Sequence, residues 1–330
     1  MSASVATAEL IADRGEAAVD ENFFRSRTFL DAEAATHTLR IDTDDAEFVA
    51  PLVVRAIPGT DERDAVSPYG YPGLIVGDRG DPVRTLSRRR PVGVTPVPPT
   101  LNPKEIDFSG TGLVSIFLRH ALGPSPLTGA TERNVVQIAD PKLPPKSRPS
   151  DRRQVRRNLE AGYTLELVPG VETTPAQRAG FLDAYEQTMR RTNAADHYFF
   201  GGAYFDRVLE ADRTWLVLVA APSGEVAAAS IAAVSDGYLH YYLSGSTDSH
   251  LGDSPMKNVV SRLAEHSAEL GLPLNLGGGI APGDALEEFK RGFANRQQAW
   301  LTSELICNAA KYAQLSAGRE AGGFFPAYRA

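Results

Sequence analysis

The sequence predicts an α/β protein with mixed sheets, in which helices and strands alternate over most of the chain. In the second half, residues 163–306 predict, after a first strand, the order helix, helix, three-strand meander, helix, strand, helix, strand. The helices of this half carry their own boundary signals, such as Thr174 before Pro175 at one start and Gly271 after one end. In the first half, short apolar runs are separated by segments rich in proline and glycine, which is typical of strands and loops.

Composition limits the class of protein. The chain has 330 residues, of which 42% are hydrophobic and 23% charged, and this is typical of a soluble globular protein with room for two cores. No apolar run is long enough for a membrane span, and the N-terminus lacks the pattern of a secretory signal, so we expect a cytoplasmic protein. The single cysteine, Cys307, excludes an internal disulfide and a cysteine-clustered metal site.

The N-terminal half predicts mainly strands. Residues 1–21 are rich in alanine and acidic residues, so we expect a flexible segment or a loose helix. A short helix opens at Phe23 and Phe24. Strands are predicted at residues 38–41, 47–57, 113–118 and 135–138, with a turn-rich loop at 65–73 and a proline-rich segment at 90–103.

The C-terminal half predicts the helices more sharply. Ser150 or Asp151 is expected to cap a basic helix over 152–160, and Thr174 before Pro175 starts a helix that ends near Arg191. Further helices are predicted at 203–211, 254–270 and 284–292. Strands are predicted at 163–168, 215–220, 226–234, 238–243, 273–276 and 299–306.

The helix at 284–292 carries the most informative residue of the chain, Lys290. Asp284 caps it, with Glu287 three residues on, and Gly292 is a natural stop. Leu286, Phe289 and Phe293 recur at spacings of three and four and predict one apolar face, at whose edge Lys290 stands. A lysine in that position stabilises a developing negative charge, or else simply ends a helix with its stem over apolar neighbours.

Phe289-Lys290-Arg291-Gly292-Phe293, preceded by Leu274-Asn275-Leu276-Gly277-Gly278-Gly279, resembles the C-terminal half of the FemAB family. Three further stretches share this resemblance, residues 239–245, 51–55 and 64–73, so that it covers about residues 22–305. FemAB proteins are aminoacyl transferases related to the GNAT acetyltransferases, and they add amino acids from aminoacyl-tRNA to peptidoglycan precursors. The resemblance implies two GNAT-like domains in tandem, expected here at residues 22–150 and 151–330 behind a flexible segment 1–21.

The resemblance also implies the chemistry and its residues. The donor is an activated ester on tRNA, so the reaction needs no cofactor or metal, and the motif lysine that stabilises the oxyanion falls on Lys290, beside Phe289. On the strand at 238–243, His240 is a candidate base, although a hydrogen-bonded, partly buried histidine is the simpler interpretation. Candidate substrate-binding residues are Tyr69, Tyr71, Arg190, Tyr198, Tyr242 and Gly278.

Two basic clusters are candidate phosphate contacts in a chain whose net charge is −7. The first lies on the predicted basic helix and is the candidate tRNA-binding surface; a solvated helix face is the alternative. The second includes Arg84 and Arg88 to Arg90. The acidic net charge argues against a surface that coats DNA. The residues of the first cluster assigned to tRNA are Arg152, Arg153, Arg156 and Arg157.

Three departures refine the expected function. Residues 245–255 contain aspartates in place of the diphosphate-binding pattern of GNAT enzymes, which argues against coenzyme A as donor. No lysine occurs around residues 29–37, where the classical peptidoglycan ligases hold a nucleotide diphosphate, and residues 174–215 leave no room for a helical arm. We therefore expect a compact aminoacyl transferase that acts on an amine of a small natural-product peptide or a cell-wall precursor. The alternatives are an acyl-CoA-dependent N-acyltransferase and a non-catalytic GNAT-like binding module.

Overall fold

The computed structural model describes residues 6–19, 21–77, 100–319 and 322–330. Within these ranges the chain forms 14 strands and seven α-helices, joined by turns and short 3₁₀ helices. The strands are β1 Ala6–Ile11, β2 His37–Asp42, β3 Glu47–Ala56, β4 Arg63–Val66, β5 Ile75–Gly77, β6 Ile106–Asp107, β7 Ser115–Arg119, β8 Thr131–Ala139, β9 Thr164–Pro169, β10 Thr214–Ala220, β11 Val226–Ser235, β12 Tyr238–Ser246, β13 Leu274–Asn275 and β14 Arg296–Ile306. The α-helices are α1 Arg27–Ala32, α2 Pro149–Glu160, α3 Pro175–Arg191, α4 Gly202–Leu209, α5 Met256–Leu270, α6 Ala285–Arg291 and α7 Ala309–Ser316.

The described residues divide into two compact units. The first unit takes its residues from 1–19, 24–133 and 299–330, and the second from 20–23 and 134–298. The expected boundary between residues 150 and 151 does not coincide with this division, which assigns residues 134–150 to the second unit and 299–330 to the first. The last strand pairs its residues 302–306 with β7, a contact across about 180 residues that local sequence patterns do not encode.

The first unit is built on a mixed sheet. Its strand order is β6-β1-β2-β3-β4-β7-β14, with β5 also pairing β3. The pairs β1–β6 and β4–β7 are parallel and the others antiparallel. Its core contains the fully buried residues Leu39, Ile41, Phe48 and Leu52, and it also includes Ile116 of β7.

The second unit contains a sheet with helices on both faces. Its strand order is β8-β13-β12-β11-β10-β9, and only β12–β13 is parallel. Val217 and Val219 of β10 pack with Val259 and Leu263 of α5 in one core. Leu216 and Leu218, which alternate with them, are buried outside that core, and α3 packs against β11 and β12. The sheet thus combines parallel and antiparallel strand pairs and is flanked by helices, which confirms the predicted α/β fold with mixed sheets.

Three details differ from the predictions. Residues 6–11 form β1, where a loose segment was expected, because small buried alanines alternate with the outward residues Thr7 and Glu9. The basic helix α2 starts at Pro149, before both expected caps, since proline suits the first helical position. The loop expected at 65–73 opens with the last two residues of β4, which pair with β3 and β7.

Arg84 and Arg88 to Arg90, together with most of the proline-rich segment, lie outside the described residues.

Among the described helices, none combines the length and the apolarity that crossing a bilayer requires.

Candidate active site

Helix α6 positions Lys290 in the second unit. The Asp284 carboxylate accepts the backbone N–H of Glu287 at 2.7 Å, and the Glu287 carboxylate reaches back to the N–H of Gly283 at 2.8 Å. Both acceptors hold the start of a helix of only seven residues. Two residues of the predicted apolar face, Phe289 and Phe293, pack against each other with ring centroids 5.6 Å apart. Phe293 belongs to the hydrophobic core of the second unit, and Phe289 packs against that core. Leu286 is 39% exposed, so the face is narrower than its spacing predicts.

The Lys290 ammonium is buried beside the glycine turn that follows β13. Its side chain is 8% exposed, and Nζ donates a hydrogen bond to the carbonyl oxygen of Gly278 at 2.7 Å. The ring centroid of Tyr241 is 5.9 Å from Nζ. Burial lowers the pKa of Lys290 to about 8, and the Asp284 carboxylate opposes this shift. Within the described part of the chain, Gly278 O is the one hydrogen-bond acceptor of Nζ, so two N–H groups remain for a ligand.

The turn Gly277-Gly278-Gly279 depends on the absence of side chains. Gly277 has a φ of +74°, and a Cβ there would lie 3.2 Å from Lys290 Nζ. A Cβ on Gly278 would lie 2.5 Å from the side-chain amide of Asn134. The sequence suggested that Gly278 allows a substrate backbone to approach closely; the close neighbour in the structure is Asn134, whose Nδ2 donates to Gly279 O at 2.8 Å.

A β-bulge shapes the strand opposite this turn. In the pairing of β11 with β12 the register shifts between Ile231 and Ala232, and Tyr242 is the extra residue on β12. The bulge places Ser244 on the same side as Tyr241, so that Ser244 Oγ donates to the Tyr241 hydroxyl at 2.5 Å. Burial raises the pKa of Tyr241 to about 12, so the phenol stays neutral beside the lysine. Tyr241 and Ser244 were not predicted as site residues, although both lie in the Leu239–Gly245 motif.

His240 does not fit the role of general base that was considered for it. It is 2% exposed, and its Nε2 lies 3.1 Å from Ser235 O while its Nδ1 lies 3.0 Å from the Asn275 amide nitrogen. Burial lowers its pKa to about 4, against smaller opposing effects of Ser235 and Asp236. A histidine whose two nitrogens are both engaged has no lone pair to offer to an acceptor amine. The hydrogen-bonded interpretation therefore describes His240 better.

The expected substrate-binding residues belong to both units. In the second unit, Arg190 is exposed on the last turn of α3 and pairs with Glu186. Tyr242 and Tyr204 share a hydrogen bond of 2.7 Å between their hydroxyls, and the carbonyl of Tyr198 accepts the hydroxyl of Tyr185 at 2.7 Å. Both Tyr198 and Tyr242 are half-buried.

Tyr69 and Tyr71 lie in the first unit and are half-buried in their loop. The backbone N–H of Tyr69 donates to Glu33 Oε2 at 2.7 Å. The ring of Tyr71 packs edge-on between those of Phe24 and Trp300, at centroid distances of 5.4 and 5.5 Å. These contacts fit the interpretation in which the tyrosines pack their loop.

The predicted tRNA-binding arginines form a stripe on α2. At 3.6 residues per turn, positions 152, 153, 156 and 157 fall within an arc of about 140°. All four side chains are exposed, and in the described residues Arg153, Arg156 and Arg157 have no ion-pair partner. Arg148, which precedes this helix, pairs with Glu288 of α6, and Nη2 also donates to the Glu288 carbonyl at 3.1 Å. The arginine stripe and the helix of Lys290 are therefore neighbours within one unit.

Helix α2 also covers the N-terminus of α5. Asn158 Nδ2 donates to Asn258 Oδ1 at 2.7 Å and to Asp253 O at 2.9 Å, and both asparagines are buried. Lys257 in the first turn of α5 is paired with the buried Asp151 at 3.0 Å. Asn158 and Asp151 of α2 thus bind side chains in the first turn of α5, the helix whose N-terminus would hold a diphosphate in a GNAT enzyme.

The comparisons with known proteins agree with this architecture. A family model described as an acetyltransferase (GNAT) domain matches residues 145–291. The crystal structure of FemX is similar at a TM-score of 0.59 and 11% identity, over 91% of this chain and 96% of that one. The chain has a FemX-like GNAT fold.

Two other structures extend this likeness. The C-terminal domain of a putative lysylphosphatidylglycerol synthetase from Agrobacterium fabrum is similar at a TM-score of 0.55 and 12% identity, over 91% of this chain and 93% of that one. L-PGS from Bacillus licheniformis is similar at a TM-score of 0.50 and 12% identity, over 85% and 90% of the two chains. No curated protein matches the sequence. The FemX-like fold confirms the resemblance to the FemAB family at the level of fold.

Proposed function

We propose that this protein is a tRNA-dependent aminoacyl transferase, which moves an amino acid from aminoacyl-tRNA to an amine and forms an amide. The observation that carries the proposal is the buried Lys290 ammonium, which donates to Gly278 O and, as far as the chain is described, keeps two N–H groups for a ligand. The FemX-like fold over 91% of the chain supports it. So does the likeness to a putative lysylphosphatidylglycerol synthetase, whose name describes the product of an aminoacyl transfer.

The chemistry follows from the charge of Lys290. The acceptor amine attacks the ester carbonyl, and the carbonyl oxygen becomes an oxyanion as the C–N bond forms. Collapse of this intermediate breaks the ester C–O bond, and the ribose hydroxyl leaves with the proton that the amine loses. With a pKa of about 8, about nine in ten Lys290 side chains are protonated at pH 7, and an ammonium in a buried site stabilises an oxyanion strongly.

The arginine stripe of α2 supplies the contact with the donor in this proposal. Four exposed arginines on one arc concentrate positive charge on one face of the helix, and such a face attracts a phosphate backbone. The ion pair between Arg148 and Glu288 connects this helix to α6, which carries Lys290. We assign the amine acceptor, a small natural-product peptide or a cell-wall precursor, to Arg190, Tyr198 and Tyr242 of the second unit.

Coenzyme A is the competing donor, because the family model that matches residues 145–291 is that of an acetyltransferase. Two features oppose it. The contacts of Asn158 and Asp151 cover the N-terminus of α5, and the carboxylates of Asp248 and Asp253 flank the preceding turn. A diphosphate placed there would lose hydrogen-bond donors and meet like charge.

A donor comparison tests the proposal. The purified protein is mixed with a pool of amine acceptors and, separately, with radiolabelled acetyl-CoA or with a mixture of radiolabelled aminoacyl-tRNAs. We expect label in a small product only from the tRNA donor, and no such product when the charged tRNA is digested with ribonuclease before the protein is added. Label transferred from acetyl-CoA alone would assign the protein to the acyl-CoA transferases, and transfer from neither would favour a binding module.

A further inference from the structure

The glycine turn beside Lys290 is held by a set of buried polar groups. Its three successive carbonyl oxygens each accept a hydrogen bond from a different residue: Gly277 O from Gln137 N at 3.0 Å, Gly278 O from Lys290 Nζ at 2.7 Å, and Gly279 O from Asn134 Nδ2 at 2.8 Å. The Gly277 N–H donates to Asn275 Oδ1 at 2.9 Å. The carbonyls before and after that of Gly278 are both held by hydrogen bonds, and this fixes the position of the Gly278 carbonyl.

The hydrogen bonds assign the orientation of each side chain behind this turn. A backbone N–H can only donate, so the Asn275 atom that faces Gly277 is the oxygen, and the amide nitrogen faces His240 Nδ1 at 3.0 Å. His240 Nδ1 must then accept, which leaves the proton on Nε2, where it is donated to Ser235 O at 3.1 Å. One continuous path thus runs from Ser235 through His240, Asn275 and Gly277 to the carbonyl that binds Lys290.

The path is buried throughout its side chains. Asn275 is 1% exposed and His240 is 2% exposed, so water does not substitute for either partner when one is lost. A proton on His240 Nδ1 would face the Asn275 amide N–H, donor against donor, so the neutral tautomer is the one compatible with the turn. His240 thus acts on the site without facing a substrate.

We propose that His240 and Asn275 are positioning residues, which hold the Gly278 carbonyl against Lys290 Nζ and so direct the remaining N–H groups of the lysine. This inference rests on the proposed role of Lys290. An ammonium has three N–H groups at fixed angles, so the direction of one hydrogen bond limits where the other two can point. An error of about 1 Å in such a group costs up to about 100-fold in rate.

Competitive labelling of the lysines with acetic anhydride between pH 6 and 11 tests this without any substrate. Mass spectrometry of the Lys290 peptide gives the pKa and the reactivity of that amine; Asp284 and Tyr241 are the titratable groups facing it. We expect Asn275→Ala and His240→Ala to loosen the turn, admit water, and raise the pKa of Lys290 by about one unit or more above that of the wild type. We also expect kcat to fall by about 10- to 100-fold, with KM for the aminoacyl-tRNA nearly unchanged.

His240→Asn separates a positioning role from a catalytic one. The asparagine oxygen can occupy the place of Nδ1 and accept from Asn275, so we expect the low pKa of Lys290 and most of kcat to be kept. If His240 were a base, His240→Asn would be as inactive as His240→Ala. Asn275→Ala and His240→Asn carry the test should His240→Ala fail to fold.

Asn295→Ala is the matched control, because Asn295 also clamps a loop, with Nδ2 donating to Asp140 O at 2.9 Å, but does not touch the glycine turn. If the pKa of Lys290 in Asn275→Ala and in His240→Ala equals that in Asn295→Ala and in the wild type, the inference is overturned. If the Lys290 pKa rises as expected in the two variants but the wild type transfers an amino acid from no donor, the proposed function is refuted and the positioning role stays intact.

Discussion

Asn158 of α2 and Asn258 of α5 share a buried hydrogen bond of 2.7 Å, and through it α2 covers the first turn of α5. A free first turn has unpaired N–H groups and a partial positive charge, which GNAT enzymes use to bind the diphosphate of coenzyme A. In this protein the side chains of Asn258 and Lys257 in that turn bind Asn158 and Asp151 of α2, and Asn158 also donates to the Asp253 carbonyl just before it. Helix α2 therefore packs against the helix terminus at which GNAT enzymes bind coenzyme A.

The first prediction is that coenzyme A does not bind. At 1 mM it should leave the thermal midpoint unchanged, since a ligand stabilises a fold only if it binds the native state. The measurement is thermal unfolding with coenzyme A, with dephospho-coenzyme A and adenosine diphosphate as controls. A rise that saturates with concentration for coenzyme A would show an open site and contradict the account.

A second prediction concerns the arginine stripe. In the quadruple variant, glutamate replaces Arg152, Arg153, Arg156 and Arg157. We expect weaker tRNA binding, and a slope of log K against log salt that is smaller in magnitude by about 0.9 for each lost phosphate contact. Arg207→Glu is the control, because Arg207 is also a half-exposed helical arginine but lies on α4. An affinity and a slope equal to those of the control would remove α2 from the tRNA site.

The pH dependence of catalysis provides a third prediction. An oxyanion is stabilised by the protonated lysine, so the contribution of Lys290 should be nearly complete below about pH 7 and fall as the pH rises through the pKa of about 8. Lys290→Arg keeps its charge to much higher pH. Dividing the wild-type kcat by that of Lys290→Arg cancels the titration of the acceptor amine. The ratio should fall near pH 8, and a ratio that rises there would mean that Lys290 acts as a base.

The tyrosine-rich loop of the first unit provides a fourth prediction. Gly70, between Tyr69 and Tyr71, has a φ of +96°, and a Cβ there would lie 2.3 Å from the ring of Phe24. Gly59 has a φ of +76° with nothing within 4 Å of a Cβ. Gly59→Ala should cost about 1–2 kcal/mol of unfolding free energy from backbone strain, and Gly70→Ala about 1–3 kcal/mol more from overpacking. Urea unfolding measures both, and equal losses would mean that Phe24 moves away freely.

The sequence predicted those features whose determinants are local. The cap of α6 by Asp284, the start of α3 at Thr174 and the meander of β10 to β12 depend on residues within a few positions of each other, and the structure confirms them. The bulge at Tyr242 was not predictable, because a register shift appears only when both strands are paired. For His240 the sequence indicated a hydrogen-bonded histidine, but its partners are 35 and 5 residues away and could not be identified from spacing.

The most direct test of the account is the rate of aminoacyl transfer by Lys290→Met, measured with charged tRNA as donor and compared with Lys311→Met, which removes an exposed lysine of α7. Methionine keeps the apolar stem of Lys290 but has no N–H to give to an oxyanion. We predict that Lys290→Met lowers kcat by about 10²- to 10³-fold while KM for the aminoacyl-tRNA and the thermal midpoint stay near those of the wild type. A kcat equal to that of Lys311→Met would contradict the account and leave Lys290 as a cation that only ends a helix.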